Sequence, residues 1–175
     1  MSRAAAALAG LALACAHGPH DERPPFTFPP AFDANQVVTV RTEGDIRELL
    51  ASLRWRGGDL DVTLFDPAFA APLLHASRRG GAVRVETFQG GPGRDAANRL
   101  VDLLGELYAQ PFHETARDRV EARSGRYAFR LERVRLQGGC AFPEAIEVAP
   151  RAGPDVQVRV VTLDVSCPAG GTHGN

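Results

Sequence analysis

Apolar and polar residues alternate with a period of two along much of this chain, the pattern of half-buried strands. Leu60, Val62 and Leu64 share one face, with Asp59, Asp61 and Thr63 opposite. Val83, Val85 and Thr87 alternate with Arg84 and Glu86, and Tyr127, Phe129 and Leu131 alternate with Arg126 and Arg130. Beyond Leu131 the phase flips, so that Val134 and Leu136 take over the apolar side, and a bulge is predicted near Glu132-Arg133. Segments 37–40 and 156–165 are further strand candidates. Segment 46–55 fits both periods: Ile46, Leu49, Leu50 and Leu53 match a helix, and Leu49, Ala51, Leu53 and Trp55 match a strand. The hairpin-like turn Gly57-Gly58-Asp59 that follows favours the strand.

One segment carries the helical period without ambiguity. Leu100, Leu103, Leu104 and Leu107 form a stripe, Asp95 is the predicted N-cap after the loop Gly90-Gly91-Pro92-Gly93, and Pro111 ends the element. Strands, one helix, then more strands, with no βαβ rhythm, predict the α+β class: a curved antiparallel sheet, a half-barrel, wrapped around one main helix.

The front of the chain has a different composition. Ser2-Arg3 gives a basic start and an unbroken run of small or apolar residues fills 4–16, the layout of a secretory signal peptide. At this length the run is too short to span a bilayer, which takes about 20 apolar residues. Cys15 closes the string Leu11-Ala12-Leu13-Ala14-Cys15. Two processing routes fit it. Lipidation at Cys15 leaves a membrane anchor; ordinary signal peptidase, reading Ala12-Leu13-Ala14 as A-x-A, leaves a soluble periplasmic or secreted protein. Lipidation is favoured, because a free terminal thiol is a liability in an oxidising compartment. Residues 17–30 hold five prolines and the triplet Asp21-Glu22-Arg23, the composition of an extended tether reaching about 40 Å at 3.1 Å per residue. The expected organisation is a signal peptide over 1–14, a lipidated cysteine and tether over 15–34, one curved-sheet domain over 35–168 and a disordered tail over 169–175.

Three cysteines are present, Cys15, Cys140 and Cys167, and in an exported chain an odd count leaves one thiol over. With 144–148 and 156–165 as a hairpin across 150–154, placing Ile146 opposite Val161 also places Cys140 opposite Cys167. Antiparallel neighbours lie within disulfide reach, so this pair is the expected bridge.

Composition narrows the chemistry. The net charge of −1 argues against nucleic acid. Lysine is absent, which rules out a Schiff base or a P-loop lysine; the loop at Gly90-Gly91-Pro92-Gly93 is read as a flexible connection. His17, His20, His75, His113 and His173 show no ligand spacing, and Ser52, Ser77, Ser124 and Ser166 lie outside any G-x-S-x-G. No enzyme, metal or cofactor is expected.

In layout the chain resembles small bacterial lipoproteins related to LolB, the outer-membrane lipoprotein receptor, and its soluble partner LolA. The resemblance rests on Cys15 with its Pro-rich tail, the strands around Leu53-Arg54-Trp55 and Leu60-Asp61-Val62-Thr63-Leu64, the turn near Asp66-Pro67, the helix over 95–109 and closing strands to Val165. It implies a LolB-like half-barrel with a hydrophobic concavity that handles acyl chains without catalysis. The cavity and lid residues are then Val62, Leu64, Leu100, Leu103, Leu104, Leu107, Tyr127, Phe129 and Leu131. The partners expected are a membrane, through the N-terminal lipid, and an apolar ligand or acylated protein. The chain is read as a monomer on the periplasmic face of the outer membrane, with Ala16 after the cysteine where aspartate would signal retention in the inner membrane. The alternative is an accessory lipoprotein subunit that docks a partner protein in an envelope assembly.

Overall fold

The structure is a computed structural model that describes residues 24–88, 91–116, 119–152 and 156–168. The leader, Cys15, the first part of the tether and the tail 169–175 lie outside the described residues. Ten strands and one helix run in the order β1 (Ala31–Thr42), β2 (Asp45–Arg56), β3 (Asp59–Phe65), β4 (Pro72–Arg79), β5 (Ala82–Thr87), α1 (Arg94–Ala109), β6 (His113–Ala116), β7 (Arg119–Arg123), β8 (Tyr127–Gln137), β9 (Cys140–Pro150) and β10 (Gln157–Ser166). They form a single open, curved antiparallel sheet in the order β5-β4-β3-β2-β1-β10-β9-β8-β7-β6. Each half is a meander of neighbouring strands. The halves join where β1 pairs with β10, and α1 links one edge strand to the other.

Tight hairpins set the register. Gly57 and Gly58 both hold positive φ, +57° and +101°, the conformation that lets a two-residue turn match the twist of the strands it joins. Beyond it, Trp55 pairs with Leu60 and Leu53 with Val62, so the apolar set of each strand falls on one face. Segment 46–55 is therefore a strand. Strands β4, β6 and β7 were not predicted: Pro72-Leu73-Leu74 and the residues around Arg119 do not alternate cleanly.

The folded part begins before residue 35. Phe28 and Phe32 are buried in the core and Phe26 exchanges two backbone hydrogen bonds of 2.8 Å with Phe112, so the segment assigned to the tether joins the domain from Phe26 onward. Helix α1 is capped by Gly93 without a side-chain bond, and Asp95 sits in its first turn, where its charge suits the helix dipole. At 132–133 there is no inserted residue: the β8–β9 register is the same on both sides of Arg133, which instead takes φ +50°. Leu136, expected on the apolar side, is 82% exposed.

The cysteine pairing arises by a different route from the one expected. Ile146 lies opposite Val160, not Val161, a register that puts Cys140 opposite Ser166. Strand β10, however, carries one extra residue: against β1, Gln36 pairs with Thr162 but Asn35 with Asp164. That bulge at Leu163 moves everything after it on by one place. Cys167 thereby meets Cys140 and the disulfide forms, with Cα atoms 6.0 Å apart.

Candidate functional site

The inward face of the sheet and the helix lying over it enclose the molecule's apolar centre. From the strands come Ala34 and Val38 on β1, Leu53 and Trp55 on β2, Leu60, Val62 and Leu64 on β3, and Leu74 and Ala76 on β4. Phe129 and Leu131 on β8, Phe142, Ile146 and Val148 on β9 and Val160 on β10 complete the face; all are buried. From the helix come Ala97, Val101, Leu104 and Tyr108, spaced by four, three and four, with Leu103 and Leu107 beside them. This is a broad apolar face over about three turns. α1 packs on β4 and β5, and Gly105 leaves the space taken by the side chain of Arg78 on β4.

Of the cavity and lid residues expected from the sequence, Val62, Leu64, Leu103, Leu104, Leu107, Phe129 and Leu131 are buried in one cluster, and Leu100 and Tyr127 are half-buried against it. The expected stripe held Leu104 but left out Ala97, Val101 and Tyr108, which form a line with it. A 4-3-4 count from Ala97 finds it, since Phe112 follows Tyr108 by four more residues. It also left out the aromatic group at the centre. Phe28 stacks edge-on to Tyr108 at 4.9 Å, Phe142 at 5.2 Å and Phe112 at 5.8 Å, and Phe32 lies 4.9 Å from Phe142 and 5.2 Å from Tyr108. These rings fill the space beneath the helix. Scattered phenylalanines carry no period, so no sequence pattern announced them.

One polar spot lies inside this apolar volume. Gln36 is 1% exposed on the inward face of β1, and its Oε1 accepts a hydrogen bond of 3.2 Å from the Tyr108 hydroxyl. Burial raises the Tyr108 pKa well above its ordinary value, against the smaller opposing effect of the bond to Gln36, so the phenol stays protonated. The Nε2 of Gln36 and the Oγ1 of Thr162, its cross-strand partner, are buried without a hydrogen-bond partner.

The outer face is polar. Arg130 bonds Glu121 and Glu147, and Arg159 bonds Glu147 and Glu132, at 3.1–3.4 Å. A depression of about 560 Å³ is lined by Asp33, Asn35, Arg54, Asp61, Thr63 and Asp164 among others. Asp33 there is partly desolvated, which raises its pKa, but hydrogen bonds from Arg56 and Arg54 and their charges outweigh this and hold the carboxyl below its ordinary value. Among the described residues no group of three or more His, Cys, Asp or Glu side chains is placed to hold a metal ion.

Some large apolar side chains face solvent. Phe69 is 82% exposed at the tip of the β3–β4 turn, among Ala68, Ala70 and Ala71. The Asp66 carboxylate accepts from the backbone N–H groups of Ala68 and Phe69 at 2.8 and 3.2 Å, which fixes the tip. Ile46 at the start of β2 and Phe88 after β5 are also exposed, at the end of the sheet that carries the β3–β4 turn.

No protein-family model matches the chain, and no curated protein matches it. Among solved structures, the crystal structure of a LolA superfamily protein from Nitrosomonas europaea is similar, with a TM-score of 0.50 at 11% identity over 82% of this chain and 89% of that one. At that identity the likeness speaks to architecture only: the chain is built on a LolA/LolB-like fold.

Proposed function

We propose that this protein is a non-catalytic, lipid-anchored envelope protein that binds acyl chains or another apolar ligand between helix α1 and the concave face of the sheet. The observation that carries the reading is the construction of the interior: a largely apolar face of the sheet, interrupted at Gln36, closed by one helix. That helix is held by side-chain burial rather than by backbone pairing, so moving it opens the interior without breaking the sheet. Opened in this way, the interior would be an apolar site with very few polar groups, the usual form of a small-ligand pocket. Each buried CH₂ of an acyl chain contributes about 0.8 kcal/mol. The fold likeness supports the same class of ligand, and the fixed apolar tip at Phe69 suits contact with a membrane surface or with the ligand's donor. The anchor is Cys15, and the membrane is the outer membrane on its periplasmic side.

The purified mature chain is the material for the test. Lipid extraction with mass spectrometry, and titration with the apolar fluorophore 1-N-phenylnaphthylamine, are expected to show a co-purifying acyl lipid and saturable binding that the lipid reverses. Phe69→Asp is expected to leave that binding unchanged and to weaken association with phospholipid vesicles. Absence of bound lipid together with absence of saturable binding refutes the proposal.

The filled aromatic centre favours one second reading, in which the interior is permanent core and the protein is an accessory subunit docking a partner through its exposed surface. Crosslinking to one stoichiometric envelope protein, with no ligand binding, is the outcome that selects it.

A further inference from the structure

We infer that the β5 edge of the sheet is a pairing surface for the β5 edge of a second copy of this chain, joined antiparallel about Val85 into a two-fold dimer. The inference does not depend on what the interior holds. Strand β5 ends the sheet. Along it Ala82, Val83, Arg84, Glu86 and Thr87 are exposed, and Val85 is half-buried against the core. Its backbone groups divide into two sets. The Phe88 N–H donates to the Leu73 carbonyl at 3.0 Å. At the other end the turn Gly80-Gly81, both residues at positive φ, is closed by the pair Arg79–Ala82, which in a two-residue hairpin is hydrogen-bonded. Hydrogen-bonded and non-hydrogen-bonded pairs alternate along an antiparallel ladder. Ala82, Arg84, Glu86 and Phe88 therefore turn their backbone groups toward β4, while Val83, Val85 and Thr87 turn theirs outward. Among the described residues no backbone group bonds this second set.

An open edge of this kind templates pairing, and charge is a common means of blunting it. Here the charges select a partner. Arg84 and Glu86 share the outer face, opposite Ser77 and His75, and among the described residues neither has an ion-pair partner. A second β5 engages two or more of the outward residues when centred on Arg84, Val85 or Glu86. Centring on Arg84 sets two arginines directly opposite each other, and centring on Glu86 does the same with two glutamates; both are destabilising. Centring on Val85 sets Arg84 opposite the partner's Glu86, twice over by symmetry, in non-hydrogen-bonded positions where side chains lie closest. The hydrogen-bonded positions of that register are Val85 with the partner's Val85, and Val83 with the partner's Thr87. Those are the residues whose backbone groups point outward, so backbone alternation and charge choose the same register. The contact is isologous, so each copy uses its β5 edge once and assembly stops at the dimer. The opposite edge offers no such match: β6 spans only His113–Ala116, its register shifts between Glu114 and Ala116, and Phe26 pairs with Phe112 just before it.

Size-exclusion chromatography with light scattering reads the protein mass of the full mature chain, held in dodecyl maltoside so that any lipid is taken up by the micelle. Wild type is expected at the mass of two chains. Arg84→Glu and Glu86→Arg each turn both attractive contacts into repulsive ones, and each alone is expected to raise the dissociation constant by about tenfold or more. An equimolar mixture of the two variants places opposite charges across the junction again and is expected to recover the dimer, as is the double variant Arg84→Glu/Glu86→Arg. Val85→Pro removes an N–H that points away from β4, so it is expected to give single chains with the wild-type circular dichroism spectrum. Wild type at the mass of one chain overturns the inference, as does a dimer that both single reversals leave intact or that the mixture fails to restore.

Discussion

Removing the Cys140–Cys167 bridge tests both the compartment inferred from the leader and the role of the bulge in β10. The cysteines are 27 residues apart in sequence. Closing a loop of that length removes roughly 12 cal/mol/K of entropy from the unfolded chain, or about 3.5 kcal/mol at 25 °C. A domain of about 140 residues unfolds with an entropy near 0.3 kcal/mol/K, so the loss translates into a melting temperature lower by about 12 °C. The double variant Cys140→Ser/Cys167→Ser and wild type reduced with dithiothreitol should both melt about that much lower by circular dichroism. Oxidised wild type should be unaffected by alkylating agents at these two positions. Deleting Leu163 provides the control: without the extra residue, β10 runs as a regular strand in the register set by Val160 opposite Ile146, Cys167 still falls opposite Cys140, and closure should persist in the same assay. A change of less than about 1 kcal/mol on removing both thiols refutes the reasoning. It would mean that the native ladders already restrain the same segment.

Two further outcomes follow from packing and charge. Phe142→Ala removes a ring that is 0% exposed and in contact with Phe28 and Phe32, so denaturant titration should show a loss of about 3–5 kcal/mol; a loss below 1 kcal/mol would mean that the centre collapses around the gap. The Asp33 carboxyl, held below its ordinary value by Arg56 and Arg54, stabilises the fold above its unfolded pKa of about 3.9, and that contribution is lost as pH falls through the lower folded value. Asp33→Asn should therefore cost less than about 1 kcal/mol at neutral pH, because the group is 42% exposed. The difference from wild type should close in urea titrations near pH 2, and a difference independent of pH would remove the ion pairs from the explanation.

Periodicity carried most of the architecture. Leu60, Val62 and Leu64 or Tyr127, Phe129 and Leu131 need only alternate for their faces to be known, and the helix over Arg94–Ala109 needed only its leucines. What alternation cannot carry is phase between strands. The residue that brings Cys167 opposite Cys140 is an inserted Leu163 whose local sequence, Val-Thr-Leu-Asp-Val, reads as an unbroken strand. Arg133 shows the converse: a change of apolar phase in the sequence is absorbed there by one residue of unusual φ, with no insertion. The edge strand β6 and its short neighbour β7 were missed because strands at the margin of a sheet need not bury a full face. The polar spot was invisible for another reason. Gln36 stands in Asn35-Gln36-Val37 like any residue on a solvated face, and only pairing with Thr162 and cover by Tyr108 turn it inward.

Strand β1 occupies the middle of the sheet, paired along Ala31–Thr42 with β2 on one flank and from Asp33 to Arg41 with β10 on the other. Past the Phe26–Phe112 bridge the chain runs straight into this strand, so tension that reaches it from the N-terminal side loads two ladders at once instead of peeling an outer ribbon. The cystine lies at the same end, where β10 finishes beside the start of β1, and rivets the residue just after β10 to the first residue of β9. A pull from the N-terminal side would thus load the short Phe26–Phe112 bridge first and then the stiffest seam of the sheet.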